Sequence, residues 1–401
     1  MATTLLYHRD PLLLSFSSVV LAQATHAGRP SVALAETAFY PEAGGQMADR
    51  GVLGGRALLD VQVDDDGVVH HVLDGDQPLP APGATLDGVV DARRRRQHMA
   101  QHTAQHLLSR ALLDENGKAE TVSSRLGETG CTVDVDVSAL SDRSLQGAED
   151  AVNAIIDDDV VVTAFFPEAE QLARLPLRRR PKVDENIRVV VVGDIDAPLD
   201  ASPCGGTHVT RTSQIGSVRV TGVEKYKGMT RVTFQAGARA RREAFARAAL
   251  LEELGRGMSA AALEVPTHID KLRGQLKQAL ADKATLAGRV GALVGEALAA
   301  RHPDGGVVVA VVEGADVELL RAVAARATAL SPSLCVVCAA REAGGGGNVV
   351  VTRGSASSAD AGALLKRLAA AHGGKGGGRA DSAQGRLNVV DEAALRATVT
   401  A

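Results

Sequence analysis

Residues 97–116 read QHMAQHTAQHLLSRALLDEN, and this stretch separates a strand-like region from one that mixes strands and helices. Its apolar residues recur at helical spacing, and the following Asn116-Gly117 pair is a typical helix end. Before it, short apolar runs such as SVALAETAFY (31–40) and VVHHVLD (68–74) are separated by Gly, Pro and Asp. Short runs broken by such turns predict a small β barrel or sandwich over residues 1–92.

The composition is that of a globular protein without a membrane or export signal. Of 401 residues, 45% are hydrophobic and 23% charged, and no run of about 18 apolar residues occurs. The N-terminus lacks a basic segment before its apolar run, so export is not expected. Four cysteines in so long a chain do not make a disulfide framework, and a reducing cytoplasm is the expected location. The net charge of −4 argues against a general nucleic-acid coat protein, but local basic faces remain compatible with it.

The pattern along the whole chain predicts a multidomain α+β protein. Short strands and one helical stretch mix over residues 93–237, as in an α+β domain. Residues 238–300 are nearly all helical, and residues 301–401 alternate strand and helix. We therefore expect an N-terminal β barrel, an α+β domain, a helical linker and a C-terminal α/β domain.

One side of the helical linker carries an apolar heptad repeat that only Lys283 breaks. The repeat barely reaches the length that argues for a coiled coil. Two interpretations therefore stay open: an antiparallel helical hairpin within one chain, or the seam of a homodimer that includes the C-terminal segment. The apolar positions are Ile269, Leu272, Leu276, Ala279, Leu286, Val290 and Leu293.

Two short motifs predict a metal site. His98, His102 and His106 lie four residues apart and share one face of the predicted helix. The stretch SPCGGTHV adds Cys204 and His208, with glycines between them that allow a sharp turn. Two helical imidazoles and a Cys-x-x-x-His pair make a donor set of three nitrogens and one sulfur, which suits tetrahedral zinc. Spacing alone does not decide which two of the three helical histidines take part.

These motifs carry a family resemblance. HTAQHLL (102–108) followed by CGGTH (204–208) resembles the editing domain of alanyl-tRNA synthetases, some threonyl-tRNA synthetases and AlaX proteins. FYPEAGGQMADRG (39–51) resembles the barrel motif of that family, with Ala43 where a glycine is common. GALLKRLAAAHGGKGGGRADSAQG (362–385) resembles the C-terminal domain of alanyl-tRNA synthetase. Nothing like an aminoacylation domain is expected before the barrel, so the chain resembles the long form of AlaX, which edits in trans.

The resemblance implies a zinc-dependent deacylase in residues 93–237. Its substrate would be mischarged alanine tRNA, carrying serine or, as a second candidate, glycine. The implied zinc ligands are His102, His106, Cys204 and His208, with His98 either near the site or at the surface. Four protein ligands make a closed site, whereas a catalytic zinc keeps a position open. Either one ligand is displaced, with Cys204 and His208 the candidates, or the metal becomes five-coordinate, or one of the four is not a ligand.

The resemblance also suggests where the amino acid is recognised. Thr121 or Ser123, on the strand after the metal helix, is expected to bind the seryl hydroxyl, because a site built to hydrogen-bond that group rejects alanine. The Gly44-Gly45-Gln46 turn is expected to close over the pocket. Two other classes of function remain: a tRNA-binding protein with a purely structural zinc, and a zinc hydrolase of another ester.

Three further motifs have simpler interpretations. In HGGKGGGRAD (372–381) the glycines are expected to form a loop with no packing role, so that Lys375 and Arg379 can contact the tRNA body. Cys335 and Cys338 lie in an apolar strand and are expected to be buried, on opposite faces. The run Arg93–Arg96 is expected to be a solvated face or to touch the tRNA acceptor end.

Overall fold

The computed structural model describes residues 2–75, 77–181 and 185–401. Two compact units divide the chain, with the boundary between Glu252 and Glu253. The predicted multidomain α+β class is confirmed, while the finer boundaries at 92, 237 and 300 stay predictions. Within the described ranges, none of the helices combines the length and apolarity that a membrane crossing requires.

The first unit begins with a closed barrel, in which the strands follow the order β2–β3–β7–β6–β5–β8. Side chains alternate between the interior and solvent, as in β8, whose Leu86 and Val90 are buried while Asp87 and Val89 are exposed. The short strands β1 and β4 pair in parallel beside the barrel. The strands are β1 (Thr4–Leu5), β2 (Ser15–His26), β3 (Arg29–Leu34), β4 (Glu36–Thr37), β5 (Gly51–Leu53), β6 (Arg56–Val63), β7 (Val69–Leu73) and β8 (Thr85–Val90).

The helix α1 (Ala92–Asn116) follows the barrel and forms the centre of the rest of this unit. It begins after Asp91, whose side chain accepts from two backbone N–H groups of the first turn. It ends at Gly117, whose φ of 75° is the left-handed conformation that glycine adopts without strain. Most of the helix is enclosed, and Leu107, Leu108 and Leu112 are fully buried in a core shared with the surrounding sheet and helix.

Two antiparallel sheets surround α1. One has the strand order β14–β15–β10–β9, and the other has the order β11–β12–β13. The one further helical stretch expected within residues 93–237 corresponds to α2. The elements are β9 (Thr121–Leu126), β10 (Cys131–Val135), α2 (Asp142–Asp157), β11 (Val162–Phe165), α3 (Ala169–Arg174), β12 (Val189–Gly193), β13 (Pro198–Pro203), β14 (Val218–Tyr226) and β15 (Met229–Ala236).

The helix α4 (Gly237–Gly257) leads out of the first unit, and the second unit contains the long α5 (Val265–Arg301) and a mixed sheet. The sheet has the order β16–β17–β18–β20–β19, with only β16 and β17 parallel because a helix connects them. Its elements are β16 (Gly306–Glu313), α6 (Val317–Leu330), β17 (Leu334–Arg341), β18 (Gly347–Arg353), α7 (Ala361–His372), β19 (Gly374–Gly378), β20 (Ser382–Leu387) and α8 (Glu392–Thr400).

The glycine-rich segment after α7 corrects an expectation. It forms the strand β19, paired antiparallel with β20, instead of a loop. A Cβ at Gly376 would lie 2.7 Å from the Cα of Gly385 and 2.8 Å from Cδ2 of Leu365. The expectation that these glycines have no packing role is therefore wrong, because they let β19 lie close to β20 and α7.

Two other sequence features are placed by the second unit. Cys335 and Cys338 are fully buried in different cores, on opposite faces of β17, as expected. Burial raises the pKa of these thiols to about 11 and about 12, so both stay protonated at neutral pH. Ile269 is half-buried, and the other heptad positions of α5 are exposed: Leu272, Leu276, Leu286 and Leu293 keep between 53% and 69% of their surface.

Candidate metal centre

The helix α1 brings two histidines to one buried face. His102 and His106 are one helical turn apart, and their ring centroids are 5.2 Å apart. They are 3% and 0% exposed. Side chains four residues apart on a helix lie over one another, so this arrangement follows directly from the spacing in the sequence.

The segment after β13 supplies the other two donors. Cys204 and His208 lie in a loop that Arg188 holds by donating from Nη1 to the carbonyls of Cys204 (3.0 Å) and Gly206 (2.8 Å). A Cβ on Gly206 would overlap the ring of His102. The glycine is therefore needed for close approach to the helix, since its φ is not in the left-handed region that a sharp glycine turn would use.

The four donor atoms converge. One ligand atom from each of His102, His106, Cys204 and His208 lies within 4.8 Å of the others. The Sγ of Cys204 is 3.4 Å from Nε2 of His102 and 3.4 Å from Nε2 of His208. Both ring nitrogens of His106 are buried without a hydrogen-bond partner among the described residues. Three imidazole nitrogens and one sulfur are a donor set that fits a zinc ion, and a bound ion would give the unpartnered His106 imidazole a partner.

The electrostatics favour the metal-binding protonation states of Cys204 and His208. For His106, burial lowers the pKa, but Asp200 and Cys204 outweigh it and raise this pKa above its ordinary value. Burial raises the pKa of the Cys204 thiol, but the imidazoles of His102 and His208 outweigh it and hold this pKa well below its ordinary value. Burial lowers the pKa of His208 to about 3. A thiolate beside a neutral imidazole is the form in which these residues are metal ligands.

Polar neighbours hold the outer nitrogens of two of the imidazoles. Nδ1 of His102 is 2.7 Å from Oε1 of Gln46, and Nδ1 of His208 is 3.1 Å from Oγ1 of Thr103. Partners of this kind fix the tautomer and aim the other ring nitrogen at a metal. Nothing in the sequence motifs marks Thr103, except that it directly follows a ligand on the same helix.

The third imidazole faces a buried carboxylate. Nδ1 of His106 lies 3.6 Å from Oδ2 of Asp200, which is an electrostatic contact longer than a hydrogen bond. Burial raises the pKa of Asp200, but His106 and the charge of Arg178 outweigh it and hold this pKa below its ordinary value. Arg178 donates from Nε to Oδ1 of the same carboxylate at 2.9 Å. The sequence interpretation missed this aspartate, since it lies on β13 four residues before the cysteine.

The glycine turn expected over the pocket lies beside the metal centre. Gly44 and Gly45 have φ values of 57° and 84°, which glycine tolerates best. A Cβ on Gly45 would come within 2.5 Å of the carbonyl oxygen of Ser124, so the turn is pressed against β9. The turn thereby carries Gln46, which is fully buried, to His102 and to Oγ1 of Thr207 (2.8 Å).

The two hydroxyls expected to recognise serine differ in their surroundings. Oγ of Ser123 donates to Asp134 at 2.6 Å, and Arg231 pairs with the same carboxylate. Oγ1 of Thr121 is buried and has no partner within the described chain. Of the two hydroxyls, only that of Thr121 makes no hydrogen bond to the described residues.

The remaining candidates lie apart from the cluster of four. His98 is 4% exposed, one turn before His102, which rules out the surface alternative. Burial and then the charge of Arg94 lower the pKa of His98 to about 4, so it is neutral at physiological pH. Lys375, on β19, and Arg379, just after that strand, are exposed side chains of the second unit.

Two family models match the chain. The model described as the threonyl and alanyl tRNA synthetase second additional domain matches residues 187–233, which include Cys204 and His208. A DHHA1 domain matches residues 304–401.

Several curated proteins are similar in sequence. The alanyl-tRNA editing protein AlaX-L of Pyrococcus horikoshii is 32% identical over 241 residues, which are 58% of this chain and 58% of that protein. The alanine–tRNA ligase of Halobacterium salinarum is 35% identical over 256 residues, 59% of this chain and 26% of the ligase. That of Ignicoccus hospitalis is 30% identical over 346 residues, 84% of this chain and 37% of the ligase. The chain thus spans less than two thirds of the length of each of these relatives.

One solved structure is also similar. The C-Ala domain from Aquifex aeolicus alanyl-tRNA synthetase is 25% identical and covers 24% of this chain and 94% of that domain, with a TM-score of 0.22. The chain is thus similar in sequence to an AlaX-type alanyl-tRNA editing protein and to alanine–tRNA ligases, and two of its regions match a tRNA synthetase additional domain and a DHHA1 domain.

Proposed function

We propose that this chain is an aminoacyl-tRNA deacylase, which hydrolyses the ester between alanine tRNA and a wrongly attached serine or, second, glycine. The observation that carries the proposal is the convergence of His102, His106, Cys204 and His208 in a relative of an alanyl-tRNA editing protein. The editing domain would comprise residues 93–237, with alanine tRNA as the partner and zinc as the cofactor.

The four converging residues would hold the zinc. When bound, zinc supplies a Lewis acid that can polarise an ester carbonyl and lower the pKa of a water. His106 and His208 are enclosed, and their outer nitrogens face Asp200 and Thr103. Cys204 is the one member of the four that is partly exposed. This difference would favour Cys204, more than His208, as the ligand displaced when an ester binds.

Residues of β9 and of the glycine turn would select the amino acid. Thr121 carries a buried hydroxyl with no partner, which a seryl hydroxyl could satisfy and an alanyl methyl could not. Gln46 fixes the imidazole of His102, and the glycines before it bring the chain close to β9. The turn thus positions a ligand and borders the space beside it. Its role in closing over substrate stays a prediction.

The experiment that tests the function is deacylation of seryl-tRNA compared with alanyl-tRNA, both on alanine tRNA. We expect zinc-dependent release of serine and a much slower release of alanine. His102→Ala, His106→Ala and Cys204→Ala should lose zinc and activity together, whereas His268→Ala, on α5, is the matched control. Zinc at full occupancy without deacylation would support the structural-zinc alternative, and hydrolysis of unrelated esters only would support a different hydrolase.

The second unit would contribute binding to the tRNA body. Lys375 and Arg379 are exposed at the edge strand β19, where phosphates can reach them. Replacing both by Ala should raise KM for the aminoacyl-tRNA while kcat and zinc content stay nearly constant, because a remote contact adds uniform binding. Steady-state kinetics over a salt series measure this, and an unchanged KM would instead assign the C-terminal region to subunit contacts.

A homodimer through α5 is the accompanying proposal for assembly. Its heptad side chains other than Ile269 are exposed, and apolar stripes at this spacing pair with a second helix. Sedimentation of the Leu276→Asp, Leu286→Asp double variant tests it. A dimer should become a monomer, and a wild type that is already monomeric would contradict it.

A further inference from the structure

A basic cleft lies beside the first half of α1, and none of the four metal-site residues lines it. Its volume is about 550 Å³, and its walls are α1, the turn at 127–128, the segment 213–216 and the first residues of α4. All of these belong to the first compact unit. His98 lines the cleft four residues, about 6 Å along the helix axis, before His102.

The cleft concentrates positive charge in a protein whose net charge is −4. Six arginines line it against two carboxylates, Asp91 and Glu128. Glu128 is paired with Arg94 at 2.8 Å, and Asp91 accepts from backbone N–H groups at the start of α1. Nη1 of Arg239 is committed to the carbonyl of Gly127 at 3.0 Å. The other four arginines are exposed and form no ion pair with the described residues: Arg93, Arg96, Arg241 and Arg242.

Unpartnered polar groups lie on the inner wall of the cleft. Nδ1 of His98 and both amide atoms of Gln101 are buried and make no hydrogen bond to the part of the chain that the structure describes. His98 and Gln101 are 4% and 1% exposed. Buried polar groups are almost always hydrogen-bonded in folded proteins, so these side chains are available to hydrogen-bond to a bound ligand. An amide offers an acceptor and two donors in one plane, which matches the edge of a nucleobase.

We propose that this arginine cleft binds an RNA strand, with phosphates on Arg93, Arg96, Arg241 and Arg242 and a nucleobase on Gln101 and His98. Guanidinium groups match phosphate oxygens in paired hydrogen bonds. An unpaired amide and imidazole on the wall of a cleft match the edge of a base better than the headgroups of a flat membrane. The identity of the strand rests on the proposed function: it is the acceptor strand of the aminoacyl-tRNA, one helical turn from the metal centre.

The test measures binding of uncharged alanine tRNA to the full chain by fluorescence anisotropy, from low to moderate KCl. In the Arg96→Gln, Arg241→Gln variant, Kd should rise about tenfold at the lowest salt, and the log–log salt slope should fall by about 1.5 units. The matched control is Arg143→Gln with Arg179→Gln. These two arginines are exposed, form no ion pair with the described residues and change the net charge equally. A cleft variant that behaves like the control pair would overturn the proposal.

Two further variants separate the charge contacts from the base contact. Arg96→Lys with Arg241→Lys keeps the charge and should retain the salt slope, since lysine binds phosphate as a point charge. Gln101→Leu should raise Kd and leave the slope unchanged, and an unaltered Kd would overturn the base contact. Zinc content, measured for every variant, reports whether the metal centre is intact.

The outcome is independent of catalysis because uncharged tRNA carries no ester. Loss of RNA binding in the cleft variant, together with no deacylation by the wild type, would reject the deacylase and keep the cleft. Deacylation with unaltered RNA binding in the cleft variant would reject the cleft alone.

Discussion

Each imidazole of the metal centre faces a different polar group at its outer nitrogen. Gln46 comes from the turn after the barrel, Thr103 from α1 itself and Asp200 from β13. An imidazole oriented in this way loses little freedom when it binds a metal, and a carboxylate also makes it a better donor. Two of these three groups, Gln46 and Asp200, thus lie outside both metal motifs.

Asp200→Asn should raise the zinc Kd about 10–100-fold, because the carboxylate that faces His106 loses its charge while Asn still offers an oxygen to Arg178. Chelator competition measures the affinity. Asp196→Asn is the control, because this exposed aspartate lies in the same segment and changes the charge equally. Equal affinity in the two variants would mean that Asp200 serves only to neutralise the buried Arg178.

Thr121→Val should narrow the selectivity for seryl over alanyl tRNA by about 1–3 kcal/mol, because the uncommitted hydroxyl is removed with little change in shape. Ser123→Ala is the companion variant, and its effect should be small because that hydroxyl is bonded to Asp134. The ratio of kcat/KM for the two substrates measures selectivity. A larger effect in Ser123→Ala would reverse the assignment.

At the scale of elements, the glycines of the strand β19 allow close packing against the neighbouring strand. Its glycines alternate in their surroundings, as strand geometry requires. A Cβ on Gly376 or Gly378 would overlap atoms of β20, whereas a Cβ on Gly377 would meet nothing within 4 Å. The strand therefore lies against its neighbours on one face and against open space on the other.

Gly378→Ala should lower the free energy of unfolding of the second unit by about 1–3 kcal/mol, since the added methyl group has no room beside Ala383. Gly377→Ala should change it by no more than about 0.5 kcal/mol, because the site is open and its φ is not left-handed. Urea unfolding followed by circular dichroism measures both. Equal stabilities would contradict the close packing of β19.

At the scale of the whole molecule, the chain consists of two units with separate cores. The donors of the metal centre all lie before Glu252, and the mixed sheet lies entirely after Glu253. Each unit has enough buried apolar residues to unfold as a unit of its own. Ligand binding stabilises only the unit that contains the site.

Differential scanning calorimetry should therefore show two transitions that respond to different changes. Removal of zinc with a chelator should lower the transition temperature of the first unit alone, because that unit loses the free energy of zinc binding. Gly378→Ala should lower only the other transition, which serves as the internal control. A single transition that moves in both experiments would mean that the two units unfold together.

Local patterns in the sequence were sufficient for many of the elements and for a helix face that carries histidines four residues apart. The helical spacing of His102 and His106 and the Asn-Gly helix end depend only on neighbouring residues, and the structure has both as expected. The same local reasoning failed at β19, where an exposed glycine loop was expected. A glycine in the sequence indicates conformational freedom. Whether another part of the chain packs where its side chain would be depends on the tertiary structure and cannot be predicted from neighbouring residues.

Tertiary structure alone decided which groups surround the donors. It placed Gln46 against His102, buried Asp200 opposite His106, committed Ser123 to Asp134 and left Thr121 free. It also chose His106 over His98 as the partner of His102, because the loop carrying Cys204 lies against that end of the helix. These pairings join residues far apart in the chain. Spacing fixes which side chains share a face, but only the packed chain determines what that face meets.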